Sequence, residues 1–420
     1  MPLTLYRVGA VRDAGTVNAR PGAIAVRGGR IVAAGDPADV QRITGQADRV
    51  IDHPGFLVLP GMVNAHAHLD LTHLGPRPYG GHFVEWVRMI IQSRPQDDDA
   101  VIAAVRRGVE MSRDAGVWAV ADIAGSAAAL SERWMTGSAE VAGASFLEVL
   151  GLGQRGIDAA ILAQRMTEDA QRKQKPRGKV SPYHLDDGIY LGVQPHAPYS
   201  TGLGAYQVIN AWGRVATTHL AETLEECQFI RDAAGPLADL LRTIGKWDET
   251  IRPCGVSPVQ HLREILAQGN ARWIVAHCNY VDDADIQTLA QTQTSVAYCP
   301  VASDYFRHRD HRYRDMLAAG VNVCLGTDSI VCQPADEAQP LGILPQMRRV
   351  HRRDGTDPGL LLAMATTHGA RAVPCGGRRA TLEPGQGGDC MIVPFDPCSP
   401  IDPLAQVLTN SSAARRLEPA

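Results

Sequence analysis

Two histidines separated by one residue, His66 and His68, close the short apolar run Gly61–Leu69. In a strand, residues i and i+2 point to the same side, so both imidazoles face one way, one strand step apart. Two neutral imidazoles so placed can hold one zinc or iron ion. A single histidine at such a place is more often a cap or a surface group; the paired spacing reverses that preference. His219 and Glu222 stand together in "THLAET", His277 follows the apolar run of "RWIVAHC", His196 ends "IYLGVQPH", and Asp328 ends "NVCLGTDS". A carboxylate buried after an apolar run needs a strong partner, because an unpaired one is costly. A metal ion with a bound water is such a partner for Asp328; a helix N-cap is another, with Ser329 competing for that place. Glu222, three residues after His219, can lean over the same site as a proton carrier. It fits equally well as an N-terminal helix residue favoured by the dipole.

The elements that must position these groups read as alternating strands and helices. Eight apolar runs begin at Gly61, Val117, Ala144, Ile189, Arg214, Arg272, Thr294 and Asn322, with amphipathic stretches such as "AVIAAVRRGVEMSRDAG" and "LADLLRTIG" between them. Eight β-then-α units predict an α/β chain folded as a (β/α)8 TIM-like barrel, whose catalytic groups sit at the C-terminal ends of the strands. Histidines or carboxylates close runs one, four, five, six and eight. His82, His184, His351 and His368 fall elsewhere and read as structural or surface residues. No glycine-rich phosphate fingerprint follows any strand, which weakens a dinucleotide-binding reading.

The flanks have a different texture. "GAIAVRGGRIVAAGD" predicts a hairpin turning at Gly28-Gly29, "GFLVLPG" predicts another strand, and no helix of useful length is expected before "QRI". "LEPGQGGDCMIVPFD" predicts a strand returning to pair with the N-terminal ones, and "SSAARRLEPA" reads as frayed. The predicted division is residues 1–59 plus 375–420 as a small composite β-sandwich and 60–374 as the catalytic barrel.

Across 420 residues the charged fraction is 20% and the formal net charge is -4, without a long run of one sign. Neither nucleic acid nor an anionic membrane surface is an expected partner. The start of the sequence lacks a basic region followed by an apolar stretch, and no apolar run is long enough to span a bilayer. Nine scattered cysteines without a CxxC pair argue against a disulfide framework and suit a reducing cytoplasm.

Taken in order, "LPGMVNAHAHLD", "VQPHAPYS", "THLAETLEE", "AHCNYVDDADI" and "LGTDS" resemble the amidohydrolase superfamily. The branch most similar contains guanine, S-adenosylhomocysteine and aminodeoxyfutalosine deaminases and the triazine chlorohydrolases. That resemblance implies a barrel with a composite β-sandwich. It also implies His66, His68, His219 and Asp328 as metal ligands, with Glu222, His277 and Asp328 as the catalytic groups. Binuclear members usually offer a carboxylated lysine at strand four; Pro195-His196 stands there instead, so one divalent ion is expected, zinc first and iron second. The implied reaction is hydrolytic deamination of a small-molecule substrate, a 6-aminopurine nucleoside bearing an anionic tail. The alternatives are hydrolysis of another C–N or C–Cl bond, as in guanine deaminase, triazine hydrolase or a cyclic amidase, and a non-enzymatic barrel homologue acting in assembly. Members are often homo-oligomers, and this sequence does not decide that point.

Substrate contacts are expected from His196 and from two loops. Phe83 and Trp86 fit base stacking or the buried face of a helix over Phe83–Ile91. Arg88 and Arg94 fit carboxylate binding or solvated helix charge. After strand seven, "CPVASDYFRHRDHRYRD" lacks the asparagine of the P-x-SN run common in relatives, and Tyr305, Phe306, Arg307 and His308 are placed near the substrate.

Overall fold

A computed structural model describes residues 1–95, 97–172 and 189–417; His184 lies outside them. Both ends of the chain build one seven-stranded sheet. Its strands are β1 (Leu3–Arg12), β2 (Asn18–Ala19), β3 (Gly22–Arg27), β4 (Arg30–Gly35) and β5 (Arg49–Pro60). The last two are numbered in chain order as β14 (Cys390–Pro394) and β15 (Arg415–Arg416). β3 and β4 pair antiparallel through the turn Gly28-Gly29, where φ is +56° and +73°. Positive φ at both turn residues matches the twist of a tight hairpin and favours glycine. β14 returns antiparallel to β5, with Cys390 opposite Pro60.

Two expectations need correction here. A two-turn helix, Pro37–Thr44, precedes β5, capped by Asp36 and burying only Val40. One buried apolar residue leaves no periodicity to read in the sequence. Near the C-terminus, Arg415 and Arg416 pair with β14 and Leu417 is buried, so that segment is tied down where fraying was expected.

The remainder is a TIM-like α/β barrel whose strands all fall within the expected runs, give or take two residues. They are β6 (Met62–Ala67), β7 (Val117–Ala124), β8 (Ala142–Val149), β9 (Tyr190–Pro195), β10 (Val215–Leu220), β11 (Arg272–His277), β12 (Ser295–Tyr298) and β13 (Val323–Leu325). β6 to β9 and β10 to β13 each form a parallel four-stranded sheet. Backbone bonds join the two sheets at both seams. The His219 N–H donates to the His196 carbonyl, and Thr327 and Asp328 N–H both donate to the His66 carbonyl. All eight residues of β7 are buried, the mark of a strand covered on both faces. The helices outside complete the apolar core; Asp98–Asp114, for example, buries Val101, Val105 and Val109. No helix among the described residues is long and apolar enough to cross a membrane, and all nine cysteines are free thiols.

Candidate active site

The C-terminal ends of β6, β10, β11 and β13 bring His66, His68, His219, His277 and Asp328 together. His66 is fully buried, and neither of its ring nitrogens has a hydrogen-bond partner. The Nε2 atoms of His68 and His219 face each other at 3.2 Å. Asp328 Oδ1 lies 3.8 Å from His66 Nε2 and 3.6 Å from His68 Nε2. Ligand atoms of His66, His68 and Asp328 fall within 4.8 Å of one another, as do those of His66, His219 and His277.

The donor set suits a divalent cation. The His219 Nδ1–H donates to the His196 carbonyl at 2.9 Å; a carbonyl only accepts, so the lone pair of His219 is on Nε2, inside the cluster. Burial holds His66, His68 and His277 well below the usual imidazole range, and brings His219 down to about 3. They are therefore neutral, the form that ligates. Burial raises Asp328 to about 7, because a desolvated carboxylate disfavours its charged form. Its φ of +61° and the +73° of His277 are left-handed values that non-glycine side chains resist. Such backbone persists where the surroundings over-determine it.

Glu222 follows β10, ahead of the helix Leu224–Asp232, whose N-cap is Thr223. It is therefore in the turn before that helix and outside its first turn. Its Oε1 stands 3.8 Å from His277 Nε2, and burial pushes its carboxyl well above the ordinary range. The turn is held by Glu226, whose two oxygens accept the N–H groups of Ala221 (3.1 Å) and Glu222 (2.8 Å).

These groups open onto a cavity of about 330 Å³ whose lining includes His68, His219, Glu222, His277 and Asp328. His196 lines it too, its Nδ1 bonded to Ser200 Oγ at 2.6 Å. Trp86 lines it from the helix Phe83–Ser93, stacked on Phe83. Arg94 also faces the cavity, but it is paired with Glu148 at 3.4 Å and Asp70 at 3.8 Å. Arg88 points elsewhere and pairs with Glu85.

Phe306 does not line the cavity. It is buried edge-on against Trp86, at 5.0 Å between ring centres, and acts as a backing for that ring. The rest of the loop after β12 is likewise structural or outward. Tyr305 and Arg307 line a separate outer groove, and His308 bonds Tyr280 Oη at 2.9 Å. His311, which the sequence reading did not single out, donates from Nε2 to the His277 carbonyl at 2.8 Å.

Two further groups at the site escaped the sequence reading. Glu148 lies one residue before the end of β8 and lines the cavity. The rule of polar groups at strand ends points to it, but the run beginning at Ala144 drew attention only as a strand. Glu226 sits in the quoted "THLAETLEE" and had no role there.

Comparison with known proteins follows the same lines. The profile described as "Amidohydrolase family" matches residues 57–414. The 5-methylthioadenosine/S-adenosylhomocysteine deaminase of Symbiobacterium thermophilum is 28% identical over 388 residues, covering 89% of this chain and 80% of that protein. The aminodeoxyfutalosine deaminase of Deinococcus radiodurans is 26% identical over 385 residues, covering 87% and 84%. Among solved structures, an adenosine deaminase from Xanthomonas campestris with bound zinc aligns at a TM-score of 0.73 and 19% identity, covering 98% of this chain and 89% of that one. That structural likeness establishes the fold.

Proposed function

This chain belongs to the amidohydrolase family, and on that footing we propose that it is a metal-dependent aminohydrolase acting on an adenine nucleoside. The observation that carries this is one convergence: a buried His/His/His/Asp cluster, with Glu222 and His277 beside it, on a single cavity. The names of the relatives, deaminases of adenosine derivatives, support the same reaction.

We assign His66, His68, His219 and Asp328 as ligands of one divalent ion, zinc in the first instance. Such an ion supplies Lewis acidity and a water acidified toward neutrality. Asp328 takes up a proton at its carboxylate and orients the attack. Glu222, held protonated by burial, delivers its proton to the ring nitrogen beside the reacting carbon, then takes up the proton of the new hydroxyl on that carbon and passes it to the departing amine; the proton on Asp328 returns to Glu222 and closes the cycle. His277 donates a hydrogen bond from Nε2 to the substrate as negative charge develops there. His196 and Trp86 hold the base. Carbon–nitrogen bond cleavage releases ammonia and leaves the 6-oxo ring.

The test is ammonia release by the metal-loaded protein against a panel of adenine nucleosides, guanine and chlorotriazines. Ammonia from the nucleosides is expected. Chloride from a triazine with no ammonia from any nucleoside overturns the assignment.

A further inference from the structure

Building on the aminohydrolase reading, we infer that Asn279, Ser303 and His311 are positioning residues that clamp the main chain of Glu222 and His277. The need for a clamp lies in the backbone. Glu222 follows β10 and His277 ends β11. φ is +50° at Ala221, +73° at His277 and +53° at Cys278, left-handed values that residues with a Cβ resist. Turns of that kind persist only where their surroundings hold them. Any relaxation re-aims the side chains they carry, and the gap at stake is the 3.8 Å between Glu222 Oε1 and His277 Nε2.

Two carbonyls are the points of attachment. The Asn279 Nδ2–H donates to the Glu222 carbonyl at 3.0 Å, and the Ser303 hydroxyl donates to Asn279 Oδ1 at 2.8 Å. The serine thereby sets which end of the amide faces Glu222, because an O–H offered to Oδ1 leaves Nδ2 for the carbonyl. Asn279 and Ser303 are both buried, so water does not take over a lost bond cheaply. Glu222 is then held on both sides, its N–H by Glu226 and its carbonyl by Asn279.

His311 does the same for His277. A carbonyl only accepts, so the 2.8 Å bond to the His277 carbonyl places the His311 proton on Nε2. The ring is stacked on buried Tyr298, with centres 3.7 Å apart, which fixes the direction of that N–H. Ser303, on the helix Pro300–Tyr305, and His311 both belong to the stretch after β12. None of the three clamp residues lines the cavity. They reach the reaction through the residues they hold, and the stretch expected to touch substrate works from behind the site instead.

The test compares variants of the zinc-loaded protein by ammonia release from adenosine and 5′-methylthioadenosine, with amide hydrogen exchange measured alongside. His311→Phe keeps a ring to stack on Tyr298 and removes the donor, whereas His311→Gln restores a donor at similar reach. Ser303→Ala frees the Asn279 amide. His311→Phe and Ser303→Ala should each lower kcat ~10–100-fold, the loss that misplaced reacting groups produce. KM should stay within about two-fold, since no group that binds substrate is removed. His311→Gln should recover most of the loss. Ser303→Ala added to Glu222→Gln should cost nothing more, because it acts through Glu222. Exchange should quicken at residues 220–226 in Ser303→Ala and at 277–281 in His311→Phe. The inference is overturned if kcat is unchanged in both variants, if KM rises while kcat holds, if His311→Gln is as slow as His311→Phe, or if Ser303→Ala adds its full loss to Glu222→Gln. If the unsubstituted protein releases no ammonia from either nucleoside, the aminohydrolase reading fails and exchange alone judges the clamp: faster exchange at those segments sustains it, and unchanged exchange overturns it.

Discussion

Replacing Glu226 by glutamine should make the protein more stable and less active at pH 8. Glu226 is wholly buried and accepts two backbone N–H bonds that hold the turn bearing Glu222. Burial raises its carboxyl from 4.5 to about 7, although the two N–H groups pull it back. Between those values the folded chain keeps a proton that the unfolded chain has lost, so stability falls as pH rises through the window. The full cost, reached above pH about 7, is roughly 3 kcal/mol at 1.36 kcal/mol per pKa unit. Glutamine has the same shape and cannot ionise. Below pH 4.5 the acid and the amide each offer one acceptor and one donor, and the two proteins should have nearly equal stability. Above pH 7 the variant should gain up to about 3 kcal/mol. Its NH2 group, however, must face one of the two N–H donors, which loosens Glu222. A misplacement worth about 1.4 kcal/mol in the transition state lowers kcat ~10-fold. Urea unfolding of both metal-loaded proteins at pH 4.5, 6 and 8 gives the stability difference. That difference removes the shared contribution of Asp122, which burial also raises to about 7. A difference that stays flat with pH, or favours the native glutamate at pH 8, refutes the reasoning.

Glu222→Gln should lower kcat by roughly 10²–10⁴-fold without lowering the unfolding midpoint; near-normal turnover excludes Glu222 as the proton carrier. Chelation should lower Tm and zinc should restore it, since an ion at 100 times its Kd stabilises by about 2.7 kcal/mol; a Tm indifferent to chelator and zinc removes the metal centre. Asp328→Asn should reduce bound zinc per chain in elemental analysis, and full retention of zinc would remove Asp328 from the ligand set. Phe146→Ala, at a fully buried position of β8, should cost about 3–5 kcal/mol in denaturant unfolding, and a loss under 1 kcal/mol would mean that the barrel interior refills the space.

The barrel strands were legible because each is buried on both faces and appears as an apolar run bounded by turn residues. Val117–Ala124 is the clearest case. His66 and His68 were legible because strand geometry alone puts i and i+2 side chains on one face. What stayed hidden depends on residues that meet only in space. Arg94 looks like a free cation in the chain, and its partners arrive from elsewhere: Asp70 from the 3-10 turn Leu69–Leu74 after β6, and Glu148 from β8. Phe306 and His311 were grouped in one loop expected to touch substrate. The fold turns the first in behind Trp86 and bonds the second to the His277 backbone. Pro37–Thr44 escaped because a helix with one buried side chain has no apolar stripe.

The join between β5 and β6 bears on the order of assembly during synthesis. Only Gly61 separates the two strands; its N–H donates to the Asp389 carbonyl at 2.7 Å, and a Cβ there would meet that same oxygen at 2.6 Å. β5 gains β14 as its second neighbour only once residues 390–394 exist. The strand that carries His66 and leads to His68 is thus anchored at its base by residues synthesised long after it. The nascent barrel waits for them with one edge of β5 exposed, a long-range pairing of the kind that folds slowly. That open edge is where a chaperone or a second nascent chain would compete.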